Sequence, residues 1–241
     1  MYRIRLILPK RQDVGYRNLD ILHDALINAW ECAGAKADQV MGMNAGLWNF
    51  GALGWRRGEN RVHTLVISTS DPELSQYLKR FNPSDVNYAR AVTGEAVEFS
   101  NAEICEDPDP VAPGQTAMGV IMLSPLAVSR KDKSGKRWYN NLDKTDLSAA
   151  INTRLSRLTG RKVQLQAHPD RLYIRSNPRY DTLVQIKEMS KGRKVFVIGM
   201  RIPLVLQGNE NDLRLAWYAG IGEKTRNGFG CVGLAERGVG R

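Results

Sequence analysis

Gly220-Ile221-Gly222-Glu223-Lys224-Thr225-Arg226-Asn227-Gly228-Phe229-Gly230-Cys231-Val232 joins a helical pattern over 211–218 to a short strand ending near Leu234. Its four glycines permit positive φ and close approach of another backbone. Free N–H groups, with the Lys224 and Arg226 side chains, then offer donors to phosphate oxygens. Such a loop holds RNA through its backbone without reading bases. A tight turn into an edge strand is the structural alternative for a bare Gly-x-Gly. The segment is no nucleotide-binding P-loop, because no Gly-Lys-Ser/Thr follows a four-residue spacer.

Outward from this loop, the second half of the chain reads as Met118–Ser129, a strongly apolar strand, then a basic hairpin-like segment through Lys136, Arg137, Trp138 and Tyr139. Asp143–Leu158 is an amphipathic helix with Leu147, Ile151, Leu155 and Leu158 as its apolar stripe and Asp143 as cap. Strands are expected at 163–166, 172–175, 182–188 and 194–206 before the last helix. The first half opens with alternation over 2–8, Tyr2, Ile4, Leu6 and Leu8 opposing Arg3 and Arg5. Leu19, Leu22, Leu26, Ala29, Trp30 and Ala33 follow at helical spacing, with Gly34 where a C-cap glycine sits. The stretch 41–60 is rich in Gly and Asn and reads as extended chain or loop, whereas 62–69 is a strand. Asp71 and Pro72 mark a helix start leading into Leu74, Leu78 and Phe81. One or two strands are expected within 86–103, and the prolines of 106–114 then break regular structure. Each half has the β-α-β-β-α-β order of a ferredoxin-like unit. The expected fold is α+β, two tandem ferredoxin-like (RRM-like) domains over 1–114 and 115–241, the second carrying the glycine-rich loop.

Composition narrows the function. Of 241 residues, 42% are hydrophobic, enough for packed cores, and no run reaches the roughly 18 uninterrupted apolar residues of a membrane span. The alternating basic and apolar N-terminus lacks the features of an export signal. Cys32, Cys105 and Cys231 show neither pairing nor metal-ligand spacing with a histidine, so no disulfide framework, metal or cofactor is expected and a cytoplasmic location is. Lys and Arg number 35 against 25 acids, a net charge of +10 whose field attracts polyanions. Nucleic acid is the leading partner. Arg130, Lys131, Lys133, Lys136 and Arg137 cluster before Trp138, and Arg154, Arg157 and Arg161 fall at i, i+3 and i+7 on the helix face opposite its leucines. Such cations suit the phosphates of an RNA stem, although an ordinary solvated face has the same pattern.

The stretch 218–232 resembles the C-terminal glycine-rich loop of the sixth CRISPR-associated protein family, repeat-RNA endonucleases of the RAMP superfamily. Leu123-Ser124-Pro125-Leu126-Ala127-Val128 is similar to the strand that opens that family's second domain, and the start near Pro9 fits its first. The resemblance implies two ferredoxin-like domains and a CRISPR repeat RNA, expected as a stem-loop. It also implies a metal-independent cut in which a ribose 2′-OH attacks the neighbouring phosphate, with retention of the product and partnership with other Cas effector subunits. RNA contact is then expected at Gly220, Gly222, Lys224, Arg226, Gly228, Phe229 and Gly230, together with the cations above.

In the resembled family the proton carrier is usually a histidine between the first two strands, and His23 is the only histidine there. His23 lies near the apolar stripe of its helix, so packing is its structural alternative; His63 in a strand and His168 before Pro169 read as structural. Tyr16 precedes His23 by seven residues, so the two share one face if the helix begins that early, and Arg17, Arg56 and Arg57 are expected to stabilise charge. A non-catalytic subunit that binds mature CRISPR RNA is the competing function.

Overall fold

The computed structural model describes residues 1–42, 45, 47–56, 59–87, 95–132 and 135–237, and of 130–132, 135, 136, 190 and 237 the backbone alone. The chain forms two compact units, one of Met1–Pro108, Gln185–Val195 and Arg226–Gly228, the other of Asp109–Val184, Phe196–Thr225 and Phe229–Arg241. The main change of unit thus falls at Pro108–Asp109, inside the proline-rich segment, ahead of the Gly114 boundary expected from sequence.

The first unit runs β1 (Tyr2–Ile7), α1 (Leu19–Cys32), β2 (Trp48–Leu53), β3 (Thr64–Thr69), α2 (Pro72–Leu78) and β4 (Glu103–Glu106). Its sheet has the order β2-β3-β1-β4, every pairing antiparallel, which is the ferredoxin-like arrangement. Asn18 caps α1 by accepting from Asp20 N at 3.1 Å, and Asp71 caps α2 by accepting from Glu73 N and Leu74 N at 2.9 Å. β2 lies in the glycine- and asparagine-rich stretch read as extended chain or loop; its Trp48 and Phe50 are fully buried. Arg3 and Arg5 do project from one face of β1, but that face is covered. Arg3 is fully buried, and its Nε meets Asp107 at 3.0 Å while Arg5 Nε reaches the same carboxylate at 2.8 Å.

The second unit repeats the order with β5 (Ala117–Met122), α3 (Leu147–Thr159), β6 (Gln166–Pro169), β7 (Leu204–Gln207), α4 (Glu210–Ala219) and β8 (Val232–Leu234). Its sheet order, β6-β7-β5-β8, is the same permutation. Leu147, Ile151 and Leu155 bury the apolar stripe of α3, and Leu158 stands at its edge, 36% exposed. The cap of α3 is Asp146, accepting from Ala149 N at 2.9 Å, whereas Asp143 lies in the preceding 3-10 turn. The strand expected at 172–175 is a helix, Arg171–Ser176, capped by Asp170 through Tyr173 N at 2.9 Å. The expected strand over 194–206 divides into Lys194–Met200 and β7 around Pro203, which has no N–H to continue a ladder. Likewise 118–129 divides at Pro125 into β5 and the first strand of the hairpin Ser129–Asp132 with Gly135–Trp138.

Candidate nucleic-acid interface

The two segments that carry the family resemblance are woven together in the second unit. Ile221 N donates to Gly230 O at 2.9 Å, Gly230 N to Pro125 O at 2.9 Å, and Glu223 N to Ala127 O at 2.7 Å. Cys231 N donates to Ser124 Oγ at 2.9 Å, and the Glu223 carboxylate accepts from Ser129 N at 3.1 Å. Two of the glycines serve this internal weave. A Cβ on Gly222 would stand 2.6 Å from Ala127 O, and one on Gly230 would run into the Ile221 carbonyl. Phe229 is fully buried, so its ring packs in the core and offers no face to a base. Lys224 is exposed at the bend in the left-handed region, with φ 59°.

Of the three arginines expected on one helix face, Arg154 and Arg157 lie on α3, whereas Arg161 follows its left-handed C-cap Gly160; their surroundings differ. Arg154 donates to Gly220 O at 3.1 Å and to Thr225 Oγ1 at 2.6 Å, bridging the shoulders of the loop. Arg161 pairs with Asp212, a buried carboxylate that also takes Gln164 N at 2.9 Å and Asn209 Nδ2 at 2.9 Å. Arg157 is exposed. It lines a groove of about 570 Å³ with Ala149, Ala150 and Thr153 of α3 and with Gly222 and Glu223 of the loop. The small side chains on α3 leave room for a ligand, and Arg157 supplies a charge at its wall. Arg137, on the hairpin, is exposed; the side chains of Arg130, Lys131 and Lys136 lie outside the described residues.

Arg226, Asn227 and Gly228 belong to the first unit, which also carries His23. The His23 ring stacks on Trp48, with centroids 6.0 Å apart and planes inclined by 16°. Trp48 Nε1 donates to Val40 O at 3.0 Å, and Arg226 Nη1 approaches the same carbonyl at 3.4 Å while its Nη2 donates to Gly42 O at 2.9 Å. Burial lowers the pKa of the Arg226 guanidinium. Gly228, at φ 82°, lies where a Cβ would stand 3.0 Å from the Phe50 ring and 3.2 Å from Leu19 Cδ2. His23 retains a partly exposed side chain, 16%, with Nδ1 3.5 Å from Asp24 Oδ1. Sequence reasoning had singled out His23 and the loop separately; the structure joins them through Trp48 and Val40, two residues it had not marked. Buried Trp48, at the start of a strand hidden by its glycine, gave no such signal.

Tyr16, Arg17 and Arg56 are gathered elsewhere. Tyr16 N donates to Asn60 O at 2.9 Å, and Asn60 Nδ2 donates to Arg17 O at 3.1 Å. They sit beyond the Leu53 end of β2, while Trp48 and His23 mark its other end. Arg57 lies outside the described residues. Among the described residues no group of three His, Cys, Asp or Glu is placed to hold a metal ion, and no helix is long and apolar enough to cross a membrane.

The fold and the loop together define a tandem ferredoxin-like class of protein, a class that the comparisons with known proteins make specific. The model of the C-terminal region of CRISPR associated protein Cas6 matches residues 107–234, and this chain belongs to that family. A Cas6-related protein from Pyrococcus furiosus is 14% identical, with 98% of each chain covered and a TM-score of 0.67. A RAMP protein described as binding different RNA substrates is 15% identical over 97% of this chain and 99% of its own, at 0.65. A Cas6 product complex is 12% identical over 97% and 98%, at 0.58. These structures share the fold. No curated protein sequence matches the chain.

Proposed function

We propose that this chain binds CRISPR repeat RNA and cuts it as a metal-independent endoribonuclease, then keeps hold of one product. The supporting observation is the line His23, Trp48, Val40 carbonyl, Arg226, which links an acid-base group to the Arg226–Gly228 part of the glycine-rich loop within the first unit. In the proposed step a ribose 2′-oxygen forms a bond to the adjacent phosphorus as its proton passes to the His23 imidazole. The bond from phosphorus to the 5′-oxygen breaks, and that oxygen is protonated, leaving a 2′,3′-cyclic phosphate and a 5′-OH. Positioned proton transfer contributes about 10² to 10⁴ in rate. Arg157 and Lys224, with exposed Arg137 on the hairpin, are the proposed phosphate contacts for a repeat stem-loop, and other Cas effector subunits are the proposed protein partners.

The test is single-turnover cleavage of repeat RNA in chelator. Wild type should cut, a deoxyribose just 5′ of the scissile phosphate should abolish cutting, and His23→Ala should bind normally but cut about 10² to 10⁴ times more slowly. A His23→Ala protein that cuts at the wild-type rate removes His23 from the mechanism. The flat packing of His23 on Trp48 favours one second reading, a subunit that binds mature CRISPR RNA without cutting it. In that case wild type binds repeat RNA and leaves it intact.

A further inference from the structure

A second surface of the first unit has the chemistry of a nucleobase site. The Trp55 indole lies just past the end of β2, 52% exposed, an unusual place for the most costly aromatic to leave in water. Its ring is held against His63, with centroids 4.0 Å apart and planes inclined by 47°. His63 is held in turn by Nδ1 at 3.0 Å from Thr64 Oγ1, on a backbone tied into the sheet by Leu8 N to His63 O at 3.0 Å and His63 N to Leu53 O at 2.7 Å. The exposed indole therefore rests on an ordered aromatic backing.

The surroundings are cationic. Val14 pairs with Val62 and Gly15 with Arg61, which brings the loop carrying exposed Lys10 and Arg11 against the segment carrying Trp55, Arg56 and Arg61. The acids at this end are Asp13, paired with Arg61, Glu59, 3.6 Å from the 81%-exposed Arg56, and Glu95, 3.7 Å from Arg17. Lys10 and Arg11 form no ion pair among the described residues. Exposed ion pairs are worth only about 0–1 kcal/mol, so Arg17 and Arg56 can exchange a carboxylate for a phosphate at little cost. An exposed ring beside surplus cations is the combination that binds single-stranded nucleic acid, the ring stacking on a base and the cations following the backbone.

We propose that Trp55, backed by His63 and flanked by Lys10, Arg11 and Arg56, stacks an unpaired nucleotide of single-stranded RNA. This extends the RNA-binding reading above to a surface separate from the groove beside Arg157. Stacking tolerates any base, so the platform selects for unpaired RNA over sequence.

The experiment measures anisotropy of labelled octauridine and of a blunt, fully paired RNA hairpin with wild type, Trp55→Ala, Trp55→Phe and the Arg157→Ala/Lys224→Ala double variant. Trp55→Ala should bind octauridine roughly 5- to 100-fold more weakly, the range for loss of one base–aromatic stack, and bind the hairpin like wild type. Trp55→Phe should stay within about threefold of wild type, since a phenyl ring still stacks. Equal binding of octauridine by Trp55→Ala and wild type overturns the platform, as does a Phe variant as weak as Ala in a protein of unchanged circular dichroism. If the groove double variant alone loses RNA while Trp55→Ala does not, the platform fails and the RNA-binding reading stands. A wild type that binds neither RNA overturns both.

Discussion

Arg154 and Arg157 lie on α3 and Arg161 just beyond its C-cap Gly160, and each spends its charge differently. Arg161 neutralises Asp212, which is 1% exposed. Arg161→Ala should therefore cost about 2 kcal/mol of stability, the scale for a charged hydrogen bond lost by a buried acceptor. Arg157→Ala should leave the urea midpoint unchanged. Equal midpoints for all three proteins would show that the Asp212 pair contributes nothing. His63 gives a pH test at the same scale. Burial moves its imidazole below the ordinary 6.5, opposed by a bond to the Leu8 backbone and by Asp13. The unfolded chain then takes up the proton more readily, so stability is full above about pH 6.5 and declines as pH falls below it. His63→Gln should flatten that decline between pH 6.5 and 5, and a parallel decline in both proteins would remove His63 as its source. Sequence spacing put the three arginines on one helix face, but the helix stops at Thr159 and the left-handed Gly160 carries Arg161 off it. Spacing carried no information on Asp212, fifty residues away, or on which arginine remains available to a ligand.

Local chemistry made several elements legible. Asp71 followed by Pro72 marks the start of α2 because one side chain accepts two otherwise unpaired N–H groups and the proline needs no partner. The same reasoning misplaced the α3 cap by three residues because Asp143 and Asp146 both lie within reach of its start. Leu172, Tyr173 and Ile174 have strand-forming character, but Asp170, directly after β6, caps them as a helix through Tyr173 N. β2 was obscured by Gly51, whose lack of side chain weakens a strand signal that cross-strand pairing restores. The Arg3–Asp107–Arg5 cluster ties β1 to the residue following β4. Asp107→Ala leaves Arg3 buried without its carboxylate and should cost about 3–5 kcal/mol, measured by chemical denaturation. A loss below 1 kcal/mol would mean that water reaches Arg3. Gly228→Val should lower stability through positive φ and contact with Phe50 and Leu19, so its effect on RNA is interpretable only beside a melting curve.

At the scale of the molecule, the βαββαβ order was readable because periodicity and caps are local, whereas the β2-β3-β1-β4 permutation and its repeat depend on pairings distant in sequence. The same distinction governs charge. A net charge of +10 suggests a protein that binds polyanions over its whole surface, but Arg3, Arg5, Arg154, Arg161, Arg214 and Arg226 are all engaged internally. The side chains of Arg157, Lys224, Lys10 and Arg11 form no hydrogen bond or ion pair among the described residues. Each phosphate neutralised on single-stranded RNA contributes roughly −0.7 to the slope of log affinity against log salt. Two such contacts, at Lys10 and Arg11, give about −1.4, so octauridine held at Trp55 should show a slope at least that steep. Removing Arg157 and Lys224 together should make it shallower by about 1.4 if octauridine also occupies the groove. Arg161→Ala should leave it unchanged despite removing a charge of the same sign. A wild-type slope near −5, as neutralising all of the roughly seven phosphates of octauridine would give, means that RNA spreads over the surface at large. A slope altered equally by Arg161→Ala and Arg157→Ala means that net charge, and not the placement of free cations, governs binding.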